Sequence, residues 1–140
     1  MTTLDRTALK QGGSVALVFA VPFAIGSRLV ADSQSDDSAG SPWTAVLFLA
    51  ALAGFVLGGG IAAWVQRTGF PLVHGMVCAG GTYLIAQGVF IIIKLFRGGS
   101  VSWIGAFFTF SLVLSAGLIG GGLGSLLRKR GILPPERGAR

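Results

Sequence analysis

Inside the long apolar runs the side chains able to bind a charge or move a proton are few, and one stretch holds a cluster of them. His74, Thr82, Tyr83, Gln87 and Lys94 lie within an otherwise apolar run from about residue 71 to 95. Tyr83 and Gln87 are four residues apart and Gln87 and Lys94 seven, so on a helix they share a face. Such a face inside a membrane must look onto protein or water, because polar groups are expensive in hydrocarbon. Two chemistries are open to it. His74, Tyr83, Gln87 and Lys94 could line a polar pathway for a small solute, or they could form a hydrogen-bond network between helices. His74 alone suits a capping or interfacial position, since a metal needs more donors than this chain offers.

Other chemistries lack their parts. No Asp or Glu falls inside any long apolar run and the chain has no Asn. Proton-coupled export normally draws on an intramembrane carboxylate or a His relay; small multidrug exporters share this size, but their first-span Glu has no counterpart here. Ser111, Ser115 and Ser125 have no carboxylate-supported His for nucleophilic catalysis. No phosphate-binding loop, dinucleotide fingerprint or zinc-protease motif occurs. The lone Cys78 cannot close an intrachain disulfide and reads as a small buried hydrophobe. The expectation is a protein that is not an enzyme, with no catalytic, cofactor-binding or metal-binding residues and no cofactor.

The elements that must position these residues are membrane spans. Of the 140 residues 52% are hydrophobic and only 11% charged, with a mean hydropathy of +0.76. A soluble domain carries about 25% charged residues, and a disordered chain is less apolar still. Four runs approach the roughly 20 residues a bilayer core requires: about 13–30, 43–65, 71–95 and 103–127. Backbone groups in lipid must be satisfied internally, so continuous runs become helices. The fold class expected is all-α, an integral membrane bundle of four transmembrane helices forming a single domain over residues 1–140. Arg6 and Lys10 before the first run have a secretory-signal flavour, but Leu29 and Arg28 spoil the processing region, so an uncleaved span with a snorkelling Arg28 is expected.

Basic residues set the topology. Arg6, Lys10, Arg67, Arg128, Lys129, Arg130, Arg137 and Arg140 fall on one side, against Arg28, Lys94 and Arg97 on the other. The positive-inside rule then places both termini in the cytoplasm, in a multi-pass protein of the inner (plasma) membrane. The net charge of +6 therefore reads as topology and headgroup anchoring rather than nucleic-acid binding, with Arg128, Lys129 and Arg130 in a basic tail (128–140) suited to anionic lipid. The Ser-rich stretch 31–42 reads as an external loop; its acids Asp32, Asp36 and Asp37 would hold a divalent cation only loosely. Trp43 and Trp64 stand about 31 Å apart on a helix, the thickness of the hydrocarbon core, and with Trp103 read as belt aromatics.

Small residues recur at intervals of four. Gly54, Gly58 and Ala62 form one such face, Gly117, Gly121 and Ser125 a second, and Ala116, Gly120 and Gly124 a third. They let backbones approach closely, within one bundle, in a homo-oligomer or against a larger membrane complex. Leu57-Gly58-Gly59-Gly60-Ile61 is echoed 62 residues on by Ile119-Gly120-Gly121-Gly122-Leu123, as a parallel repeat would require.

Gly59-Gly60-Ile61-Ala62-Ala63, Gly69, His74-Gly75, Gly80 and Tyr83, followed by the Gly-rich final span ending in basic residues, resemble a group of small four-span bacterial integral membrane proteins. The resemblance spans most of residues 13–130 and implies four spans but no activity, since that group has none established. The Ala-, Gly- and Arg-rich composition also suits a high-GC bacterium. The functional expectation is a non-enzymatic small scaffold or accessory subunit packing through its glycine faces, with a small channel or transporter using the polar stripe as the alternative.

Overall fold

The computed structural model describes residues 4–32 and 41–135. They form four helices, α1 (Arg6–Asp32), α2 (Pro42–Val65), α3 (Pro71–Phe96) and α4 (Trp103–Lys129), with no strand among the described residues. At 1.5 Å per residue these are about 36–40 Å long, enough to cross a core of roughly 30 Å. All four are apolar enough to span a membrane. The loop expected at 31–42 and the tail residues Arg137 and Arg140 lie largely or wholly outside the described residues, as do Asp36 and Asp37.

The helix ends have local causes. Asp5 caps α1, its Oδ1 accepting from the amides of Thr7 (3.0 Å) and Ala8 (3.2 Å). This starts α1 at Arg6, well before the apolar run near Gly13. Ser41 and Ser102 cap α2 and α4 through their hydroxyls, and Pro42 and Pro71 take the first helical turn, where a missing N–H costs nothing. α4 continues through Lys129, so Arg128 and Lys129 belong to its last turn rather than to a tail.

Successive helices run antiparallel. α2 packs on α1, α4 and α3, and α3 packs on α4 and, less, on α1; α1 and α4 do not pack against each other. The cross-section is a rhombus whose short diagonal is α2–α3, with α1 and α4 at the far corners. The terminal end holds the starts of α1 and α3; the opposite end is called the distal end below. The core is built from small side chains, among them Ala16, Ala20, Ala62, Ala63, Ala79 and Ala116, with Phe55, Tyr83 and Val113 as its larger members. Large apolar side chains such as Leu49, Ile85, Ile104 and Phe107 face outward instead. Small inside and large apolar outside is the packing expected where lipid is the solvent.

The glycine faces are consumed inside the chain. Gly54 and Gly58 lie against Ala20 and Ala16 of α1, and Ala62 meets Gly12 of that helix. Gly117 and Gly121 face α3 at Gly75, Ala79 and Leu72, whereas Gly120 and Gly124 face α2 at Val56, Gly60 and Trp64. The two halves of the 62-residue echo thus serve different contacts: Gly58 faces α1, but its counterpart Gly120 faces α2.

Candidate functional site

Because α1 and α4 stand apart, a cleft opens between them at the distal end, floored by α3. It has a volume of about 590 Å³. Arg28 of α1, Tyr83, Gln87, Phe90 and Lys94 of α3, Arg97 and Ser102 of the α3–α4 connection, and Thr109 of α4 line it. A smaller chamber of about 200 Å³ continues inward among Ala20, Val21, Phe48, Ala51, Leu52, Phe55 and Val113. Arg28, Tyr83, Gln87, Phe90 and Thr109 border both, so a polar vestibule gives onto an apolar interior.

Each wall residue is held by a specific contact. Arg28 lies one turn inside α1; its guanidinium donates to Gln87 Oε1 at 2.7 Å and stacks 4.5 Å from the Phe90 ring centroid. A fork of donors on an aromatic face is a geometry Lys would not reproduce. Tyr83 is 7% exposed. Its hydroxyl donates to the Ala106 carbonyl at 2.9 Å, and its ring meets Phe55 edge-on and Phe110 at a tilt. Thr109 donates to the Gly105 carbonyl one turn back (2.9 Å). Arg28, Lys94 and Arg97 all face this cavity, while the one acidic side chain described, Asp5, caps α1 at the other end. Among the described residues, every charged side chain lining the cleft is cationic.

No family model, no curated protein and no solved structure matches the chain. What the site can do must be read from its own geometry.

The polar face expected on α3 divides. Tyr83, Gln87 and Lys94 share the cleft, but His74 does not. It is 0% exposed at the terminal end, where Nε2 accepts from the Asp5 amide and Nδ1 pairs with the Phe70 carbonyl, both at 2.8 Å. With Nδ1–H donating and Nε2 accepting, this is a neutral imidazole, the tautomer following from the two partners. It ties the start of α1 to the start of α3. Thr82 is buried about two turns further along the same helix.

The terminal end is otherwise closed by similar ties. Gln66, 1% exposed, accepts through Oε1 from the Thr68 amide (2.7 Å) and the Gly69 amide (2.8 Å). Its carbonyl accepts from the Arg128 guanidinium at 2.8 Å. Trp64 Nε1 donates to the Ile132 carbonyl at 2.7 Å. Of the three residues expected to bind headgroups, Arg128 is thus held within the fold, while Lys129 and Arg130 are exposed. Ser111 and Ser115 donate to carbonyls of Phe107 and Ser111 one turn back. Ser125 is half-buried, and Cys78 Sγ lies 3.6 Å from the Gly58 carbonyl. Among the described residues no cluster of His, Cys, Asp and Glu could hold a metal.

Arg28 is the site residue that the sequence reading treated only as an interfacial anchor. The signal in the sequence is a guanidinium inside the first apolar run, and its partner Gln87 lies too far along the chain for a local pattern to announce it.

Proposed function

We propose that this integral membrane protein binds a small polar solute in the distal cleft between α1, α3 and α4 and acts as a small channel or transporter. The observation that carries the reading is Arg28: it lies within a span, is tied to Gln87 and Phe90, and faces a cavity shared with Tyr83, Lys94 and Arg97. Arg28 is exposed near the end of α1, where it could reach the interface by snorkelling; its bond to Gln87 and its stacking on Phe90 instead direct it across the cleft. No catalytic step is assigned to the chain. The same reading takes the protein to be one of the small four-span bacterial membrane proteins it resembles. With both termini cytoplasmic in the plasma membrane, as the basic residues favour, the cleft opens toward the outer leaflet.

Gln87 and Tyr83 supply the test. Hydrogen bonds to charged groups contribute roughly 1.5–3 kcal/mol, so Gln87→Leu should lower solute affinity or proteoliposome flux about tenfold or more. Tyr83→Phe should alter it less. Flux and binding equal to the parent in both variants, with both still folded, defeat the reading.

One observation favours a scaffold or accessory role as a second reading. Gly81 and Gly88 lie on α3 with nothing within 4 Å of where a side chain would begin. A membrane partner or second copy docking there would be displaced by Gly81→Leu and Gly88→Leu, and cross-linking yields that both variants leave unchanged would remove this role.

A further inference from the structure

The cleft and the chamber behind it differ in chemistry. Three cations border the cleft, and no carboxylate among the described side chains faces them. Lys94 lies in the last turn of α3, where a cation also offsets the helix dipole. Arg28 has no such duty. Ser102 and Gly105 bring the first turn of α4, with its partial positive charge, to the same cavity as the last turn of α3, whose partial negative charge Lys94 offsets. Behind this vestibule the chamber is walled by Val21, Phe48, Ala51, Leu52, Phe55 and Val113, with no further charge. Arg28 and Gln87 sit where the two spaces meet.

We propose that the site takes an anionic headgroup of the phosphate class, held by Arg28, Lys94 and Arg97, with an attached acyl or alkyl chain running into the apolar chamber. This rests on the solute-cleft reading and names its ligand. A guanidinium fork matches the oxygens of a phosphate, and Lys94 supplies a point charge beside it. The chamber, at about 200 Å³, holds part of a single chain rather than a whole diacyl lipid, whose remaining length would lie along the lipid-facing gap between α1 and α4.

The full chain in neutral maltoside micelles is probed by native mass spectrometry and melting temperature with inorganic phosphate, dodecyl phosphate and dodecyltrimethylammonium. One dodecyl phosphate per chain is expected, weakened about tenfold by Arg28→Gln and by Arg97→Gln and unaffected by Arg67→Gln at the other end. Val21→Phe should weaken dodecyl phosphate and spare inorganic phosphate. Inorganic phosphate binding as tightly as dodecyl phosphate overturns the chain half of the proposal and makes the source a free anion; tight binding of dodecyl phosphate alone supports the amphiphile. Failure of both anions to bind the folded parent overturns the proposal. So does binding indifferent to Arg28→Gln. Preferential binding of dodecyltrimethylammonium, or of a neutral solute sensitive to Gln87→Leu, overturns the anion assignment but leaves the solute cleft standing.

Discussion

Adding one methyl group at two glycines two residues apart should have opposite consequences. At Gly120 a Cβ would overlap the Val56 carbonyl oxygen and stand 2.8 Å from the Gly60 nitrogen and 3.0 Å from the Val56 carbonyl carbon. These are backbone atoms of α2, which cannot rotate away, so α2 and α4 must part by about 0.5–1 Å. A gap of that size forfeits a quarter to a half of the dispersion attraction of each pair involved. In lipid that attraction is the main force between helices. Overpacking of this kind costs about 1–3 kcal/mol, and the better helix propensity of Ala returns roughly 0.5–1. Gly120→Ala should therefore be destabilised by roughly 0–2.5 kcal/mol, with a central value of about 1. At Gly122 nothing lies within 4 Å, so Gly122→Ala keeps only the propensity gain and should be neutral to about 1 kcal/mol more stable. Titration of each variant from mild detergent into dodecyl sulfate, followed by far-ultraviolet circular dichroism, compares the two. Coincident unfolding curves would refute the account of α2–α4 packing.

Two further perturbations address the terminal end. His74→Ala removes the acceptor of the Asp5 amide and the partner of the Phe70 carbonyl; a loss of about 1–3 kcal/mol should appear as faster hydrogen exchange at residues 5–9, and unchanged protection there would show that the tie carries no weight. Arg128→Ala frees the Gln66 carbonyl and should lower stability by about 1 kcal/mol given partial exposure, whereas exposed Lys129→Ala should stay within about 0.5. Equal melting temperatures for that pair would remove Arg128 from the fold's supports.

The four spans were legible because bilayer thickness imposes a length that apolar runs either meet or miss. The start of α1 was not, because its cause is a cap, Asp5, lying outside the apolar window. Small-residue spacing showed that Gly54, Gly58, Gly117 and Gly121 would be close-packed faces, but not which helix each would meet. Gly120 and Gly121 are neighbours in sequence yet face α2 and α3 respectively, since one residue turns a helix by about 100°. The polar stripe failed as a unit for a similar reason. His74 and Tyr83 are nine residues apart, about 14 Å along the axis, so one closes the terminal end while the other floors the distal cleft. The bond from Arg28 to Gln87 joins residues 59 apart, a pairing no local pattern announces.

A gradient in side-chain size connects the glycine seam to the cleft. Contacts among Gly12, Gly58, Gly60, Gly75, Gly117, Gly120, Gly121 and Gly124 crowd the terminal half, where helices approach until backbone meets backbone. Toward the distal end the facing residues are Phe48, Phe55, Tyr83, Phe90 and Phe110, which hold the axes further apart. The pair with no direct contact, α1 and α4, leaves between them the opening that Arg28 and Lys94 line. Widening the seam, as Gly120→Ala does, should then alter the distal cleft as well as stability. A binding site whose walls did not respond to that substitution would owe its shape to the aromatics alone.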